Sequence, residues 1–100
     1  MPTVYVTAPP KKAQTIAETL VEERLAACVN RLSTTSTYRW KDEIHHDDEA
    51  VLLAKTTDDS YDALVSRVRE IHPYDVPCIE RFDEAHVLES FADWRAESVD

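Results

Sequence analysis

Across its 100 residues the chain contains no glycine. Glycine is the residue that enters left-handed backbone conformations without a Cβ clash, so its absence forces tight turns onto Asn, Asp, Ser or Pro. Whole function classes fall away with it. A phosphate-cradling P-loop and a dinucleotide-binding βα turn both need glycine where the backbone meets the ligand. Punctuation is left to five prolines, and the densest of it lies in Ile71-His72-Pro73-Tyr74-Asp75-Val76-Pro77-Cys78. Proline fixes φ and pushes the preceding residue out of the α region, so His72 and Val76 are expected to be extended. Two missing amides bar the segment from a helix interior or a central paired strand. It reads as a stiff link that ends one helix and launches a strand, and it carries a histidine, a tyrosine, an acid and a thiol.

A chain of this length makes one domain, 1–100, around a single core. No apolar run approaches the ~18–20 residues of a membrane span. Met1–Val6 lacks the basic and apolar regions of a signal peptide, so a cytoplasmic protein is expected. The formal net charge is -9, and four lysines stand beside seven arginines. Such a surface repels phosphate backbones, which argues against nucleic acid and anionic membranes as partners. It also favours solubility, and a salt-rich cytoplasm would suit it. Cys28 and Cys78 make no disulfide framework.

Thr3–Thr7 is β-branched and aromatic, hence a strand. Ala8-Pro9-Pro10 stops it, with Pro10 suited to a first helical turn. Ala13, Ile16, Ala17, Leu20, Val21 and Leu25 recur at helical spacing and predict an amphipathic helix. Cys28–Trp40 predicts a long strand, bent near Ser33-Thr34. Lys41–Glu49 reads as a polar turn and return, and Ala50–Thr56 as a buried strand. Thr57-Asp58-Asp59 offers caps for a second helix carried by Tyr61, Leu64, Val65, Val68 and Ile71. Cys78–Asp83 is a fourth strand, and Leu88, Phe91, Ala92 and Arg95 sketch a short last helix. The order βαββαβ predicts an α+β ferredoxin-like sandwich with both helices on one face of a four-stranded antiparallel sheet. One sheet face is left bare and the β2–β3 hairpin is overlong, so pairing with other copies of the chain is expected.

Candidate chemistry is sparse. His45 and His46 are adjacent and point to opposite faces of any strand, so they chelate together poorly. Cys28 reads as a small buried hydrophobe. His72, Asp75 and Cys78 combine imidazole, carboxylate and thiol, a donor mix suited to copper or zinc. Their spacing matches no standard zinc pattern, and structural packing around the prolines accounts for the same residues. Tyr38, Trp40, Lys41 and Lys55 on the hairpin strands form either a small-anion pocket or a cross-strand packing set.

Taken together, Val6-Thr7-Ala8-Pro9, Arg24-Leu25-Ala26-Ala27-Cys28-Val29-Asn30, Tyr38-Arg39-Trp40-Lys41, Leu53-Ala54-Lys55-Thr56 and His72-Pro73-Tyr74-Asp75-Val76-Pro77 resemble CutA, the divalent-cation tolerance family. The resemblance runs in register from Val4 to Trp94. It implies a stable homotrimer of ferredoxin-like subunits, similar in architecture to PII-type signalling proteins. It also implies a link to tolerance of copper and other divalent cations, with no catalytic activity and no obligatory cofactor. Tyr38, Trp40, Lys55, His72 and Tyr74 then look like the lining of a cleft between subunits. Some family members are proposed to bind copper through a cysteine, a histidine and a glutamate. Val6, Ile71 and Cys78 stand at those positions here, so the family's set is not reproduced, and Cys78 with His72 and Asp75 is the remaining candidate. Asp42 stands where the family usually has glycine. The rival expectation is a PII-like signalling trimer that binds a small ligand in the same cleft. An acylphosphatase-like enzyme is disfavoured, because no glycine-rich anion loop exists.

Overall fold

The computed structural model describes every residue from Met1 to Asp100. The elements run β1 (Pro2–Ala8), α1 (Pro10–Glu22), β2 (Cys28–Trp40), β3 (Glu43–Lys55), α2 (Tyr61–Ile71), β4 (Ile79–Asp83) and α3 (Glu89–Ser98). The sheet order is β2-β3-β1-β4, with every neighbouring pair antiparallel. That is the α+β arrangement expected from the order of elements.

Alternation along the strands decides which face is covered. Val4, Val6 and Ala8 of β1 and Ala50, Leu52 and Ala54 of β3 meet Ala13, Ile16 and Leu20 of α1 and Leu64 and Val68 of α2 in one buried cluster. Both helices therefore share one sheet face. The opposite face carries Tyr5, Leu32, Tyr38, Trp40, Val51, Leu53 and Phe82, and no element of the chain covers it. Leu32 and Phe82 are half-exposed there.

The β2–β3 hairpin is more fully strand than the sequence reading allows. Its register is unbroken from Cys28↔Lys55 to Trp40↔Glu43, with no bulge at Ser33-Thr34. The polar stretch Glu43–Glu49 is strand rather than turn, because each residue finds a partner on β2 and solvated strands tolerate polar side chains on both faces. The turn is only Lys41-Asp42, with φ of 51° and 65°. Two central residues at positive φ are the signature of the type I′ hairpin turn, whose twist matches the strands. The hairpin's reach shows in a long axis of 45 Å.

Several smaller expectations are corrected. Val21 faces solvent, while Leu25 lies past the end of α1 and still packs against the core. The α1 terminus is a Schellman cap: Leu25 N–H reaches Leu20 O at 2.9 Å and Arg24 N–H reaches Val21 O at 3.1 Å, geometry that puts C′ in the left-handed region. Arg24 holds that position at φ 59°. So two of the three left-handed residues are Arg and Lys, outside the Asn, Asp, Ser and Pro set expected. Ser60 precedes α2, and Thr57 Oγ1 accepts its amide at 3.3 Å. Cys28 is half-buried on the uncovered face rather than in the core. Arg95, one of the four residues that sketch the last helix, is among the most buried side chains.

Candidate functional site

His72 ends α2 in the extended conformation its proline requires, with φ -77° and ψ 136°. Its ring is a structural staple. Nδ1 accepts the Tyr74 amide at 3.1 Å. That leaves Nε2 protonated, donating to Thr7 O at 2.8 Å. One imidazole thus ties the α2–β4 link to the end of β1 and fixes where Tyr74 stands. The two rings pack at 4.8 Å between centroids.

Tyr74 in turn reaches across to β3 and donates its hydroxyl to Glu49 Oε2 at 3.1 Å. Burial first, then the Glu49 carboxylate, pushes the Tyr74 hydroxyl up to about 12. Glu49 is itself only 7% exposed, on a strand where its neighbours Asp47 and Asp48 face solvent. Further along the hairpin, Tyr38 donates to Asp47 and stacks on His45 at 5.4 Å. That hydrogen bond is the first cause raising the Tyr38 hydroxyl above its ordinary range.

These groups wall a cleft of about 650 Å³ on the uncovered sheet face. β1 supplies Tyr5 and Thr7, β2 supplies Ser36 to Tyr38 and Trp40, β3 supplies Glu49, and Pro73–Val76, Cys78 and Glu80 close it. Of the five cleft residues expected from sequence, Tyr38, Trp40 and Tyr74 line it and His72 stands behind Tyr74. Lys55 does not reach it within one chain: it pairs with Cys28 at the opposite end of the hairpin from Trp40. Twelve residues of strand separate the two ends, about 40 Å at 3.3 Å per residue. Lys55 therefore does not join Tyr38, Trp40 and Lys41 in a cross-strand packing set.

The candidate metal set does not assemble either. No group of three His, Cys, Asp or Glu residues is placed to hold an ion. Both His72 nitrogens are engaged by the backbone. The Cys78 thiol donates to Glu80 Oε1 at 3.4 Å. Burial, then that carboxylate, raises it above the ordinary thiol range, which opposes the thiolate a soft metal or a nucleophilic reaction needs. His45 and His46 face opposite sides of β3, and His46 Nδ1 bonds Thr37 Oγ1 at 3.1 Å.

Sequence reasoning passed over Glu49 and Glu80. The available signal was phase: Glu49 is two residues before Val51 and four before Leu53, on the uncovered face. A carboxylate ending the run Asp47-Asp48-Glu49 gives no other sign of burial.

The architecture is an α+β fold with an uncovered sheet face, a projecting hairpin and an aromatic, acid-lined cleft. The family model described as CutA1 divalent ion tolerance protein matches residues 2–98. A Thermus thermophilus divalent-cation tolerance protein CutA is 45% identical over 98 residues, covering 96% of this chain and 95% of its relative. A solved structure of the Thermus Cut A1 superposes with a TM-score of 0.94 over the whole of both chains, at 44% identity. The protein described as PII-like protein CutA from Nostoc sp. PCC 7120, in apo form, reaches 0.97 at 29% identity, over 100% of this chain and 98% of its own. A third, from Archaeoglobus fulgidus, is described as a periplasmic divalent cation tolerance protein CutA, with a TM-score of 0.95 at 33% identity over all of both chains. The chain belongs to the CutA divalent ion tolerance family. No helix is long and apolar enough to cross a membrane.

Proposed function

We propose that this chain works as a non-enzymatic homotrimer in the cytoplasm, in the cell's tolerance of divalent cations, copper foremost. The uncovered sheet face carries the proposal. It exposes Leu32, Phe82 and Trp40 beside a hairpin whose outer strand β2 is a 13-residue edge. Apolar sheet and long strand edges of this kind are covered by partners in stable proteins. The lack of catalysis fits the cleft's chemistry: the thiol is held protonated and the imidazole nitrogens are engaged. Light scattering at micromolar concentration is expected to give three times the 11.4 kDa chain mass, and a monomer mass would sink the assembly.

Copper capture through His72, Asp75 and Cys78 needs donors from a second chain or a rearranged link, since one chain gathers no set of three. Calorimetry with Cu²⁺ on the parent and on Cys78→Ser tests it. Stoichiometric binding lost in the variant supports a metal at the cleft, and no binding by the parent removes the direct role. A second reading, a PII-like trimer that senses a small ligand, is favoured by the cleft itself. Its volume falls within the ~300–1,000 Å³ usual for small-molecule sites.

A further inference from the structure

This inference rests on the reading of the cleft as a small-ligand site, and concerns what enters it. The lining contains three carboxylates, Glu49, Asp75 and Glu80, and no lysine, arginine or histidine. Glu49 is more than nine-tenths buried, and its one protein partner is the neutral Tyr74 hydroxyl. None of the chain's ion pairs includes it. A carboxylate held out of water without a counter-charge is costly, so an arriving cation gains more there than at an exposed acid.

The cleft's chemistry selects among cations and against anions. Phosphates and carboxylates meet like charge and no cationic side chain. A bare divalent ion meets no three converging ligands. An organic cation meets both a carboxylate and π faces, since Tyr5, Tyr38, Trp40 and Tyr74 stand in the same wall, and aromatic faces attract ammonium groups by about 0.5–2 kcal/mol each. We infer that the cleft binds a small organic cation, an amine or quaternary ammonium compound, with its charge against Glu49 and its carbon body against the tyrosines.

The competing occupant is a side chain of a second copy. Lys55 is the one lysine within a strand on the uncovered face, and no ion pair engages it. Titration of the assembled protein with choline and with putrescine, by calorimetry and by tryptophan fluorescence, separates the cases. ATP and citrate serve as anionic probes. Saturable binding of choline or putrescine is expected, weakened at least roughly thirtyfold in Glu49→Gln, as for loss of a buried charge partner. Glu80→Gln, at an exposed position, supplies a second variant with less risk to folding and is expected to weaken binding less. Far-UV spectrum and assembly mass identical to the parent's qualify each variant. Binding of ATP or citrate without choline or putrescine overturns the cationic class and keeps the small-ligand site. Binding of the cations only after Lys55→Met overturns the inference by showing that a neighbour's lysine fills the cleft. No binding of any probe to the parent or to Lys55→Met removes the ligand site itself.

Discussion

Replacing Arg95 with methionine tests how the last helix is held. The guanidinium is 2% exposed and donates to Glu84 Oε1 from both terminal nitrogens at 3.2 Å, and to Pro2 O at 3.3 Å. The Thr3 hydroxyl donates to the same Glu84 oxygen. Methionine keeps an apolar stem but removes the charge, and with it the guanidinium that lies 5.3 Å from the Phe91 ring centroid. Breaking a buried pair from one side costs about 3–5 kcal/mol. Glu84 keeps 24% of its side-chain surface, so water relieves part of that and the expected loss is about 3 kcal/mol, the low end of the range. Removing both charges in Arg95→Met with Glu84→Met leaves neither ion stranded, so the double variant should lose at least about 1 kcal/mol less than the sum of the singles. Acid supplies an independent readout. Burial raises Glu84, but the Thr3 hydroxyl, its backbone amide and Arg95 outweigh this and hold it below the usual carboxylate range. A lowered folded value means stability present above the unfolded value and lost as pH falls through the folded one. Urea unfolding at fixed protein concentration, from neutral pH into acid, should therefore show an acid-labile component that weakens in Arg95→Met. A variant within about 0.5 kcal/mol of the parent, the ordinary range for surface substitutions, with an unchanged acid slope refutes the account.

Lys41→Gly should stabilise the fold by about 0.5–1 kcal/mol in the same unfolding assay, because relief of about 1–2 kcal/mol of left-handed strain exceeds the ~0.4–1 kcal/mol of unfolded-state entropy. Arg24→Gly should come out near zero at the other left-handed site. There the side chain also grips the C-terminus, Nε to Asp100 Oδ1 and a terminal nitrogen to Glu97 O, each at 2.7 Å. Faster amide exchange in residues 96–100 of that variant alone is the accompanying sign. Tyr74→Phe should flatten the alkaline limb: the folded hydroxyl, raised to about 12, contributes stability that is complete below the unfolded value and lost as pH rises through the folded one. An identical alkaline limb in parent and variant counts against the Tyr74–Glu49 bond.

The fold was legible because its signals are local and mutually consistent. Helical spacing in Ala13–Leu20 and Leu64–Val68, β-branched runs, and prolines at 10 and 73 each point to one element order. The full extent of the hairpin was hidden, since Thr35–Trp40 and Glu43–Asp48 are largely solvated and show no period-2 contrast to mark them as strand. Of the cleft, the aromatic wall was visible in Tyr38, Trp40 and Tyr74. The role of His72 was not, because a staple and a metal ligand use the same imidazole, and only the positions of Thr7 O and the Tyr74 amide separate them. Lys55 lies outside the cleft of its own chain: treating two hairpin strands as one neighbourhood ignores how far apart their ends stand. Pairing runs antiparallel, so residues near the outer ends of the two strands lie far apart unless register brings them level.

The charge excess is also more pointed than a total of -9 conveys. Register assigns each hairpin residue to a face, because directly paired residues project to the same side. Arg31 pairs with Leu52 and Arg39 with Ile44, which puts both arginines on the helix side of the sheet. Arg81 joins them there, its guanidinium 4.8 Å above the Tyr61 ring. Arg24, Arg67, Arg69 and Arg95 belong to the helices or their ends. The uncovered face keeps Glu43, Asp47, Glu49 and Glu80 with Lys55 as the basic residue in its strands. Acids lie on every exposed surface, as a solubility adaptation would place them, but the uncovered face is the one whose strands lack arginine, and Glu49 is buried there beside tyrosines, which favours a surface shaped for a cation. In a head-to-tail ring the same polarity would bring the Lys55 end of one copy towards the acidic end of the next. The choice between a free ligand and a neighbour's lysine thus comes down to what neutralises Glu49.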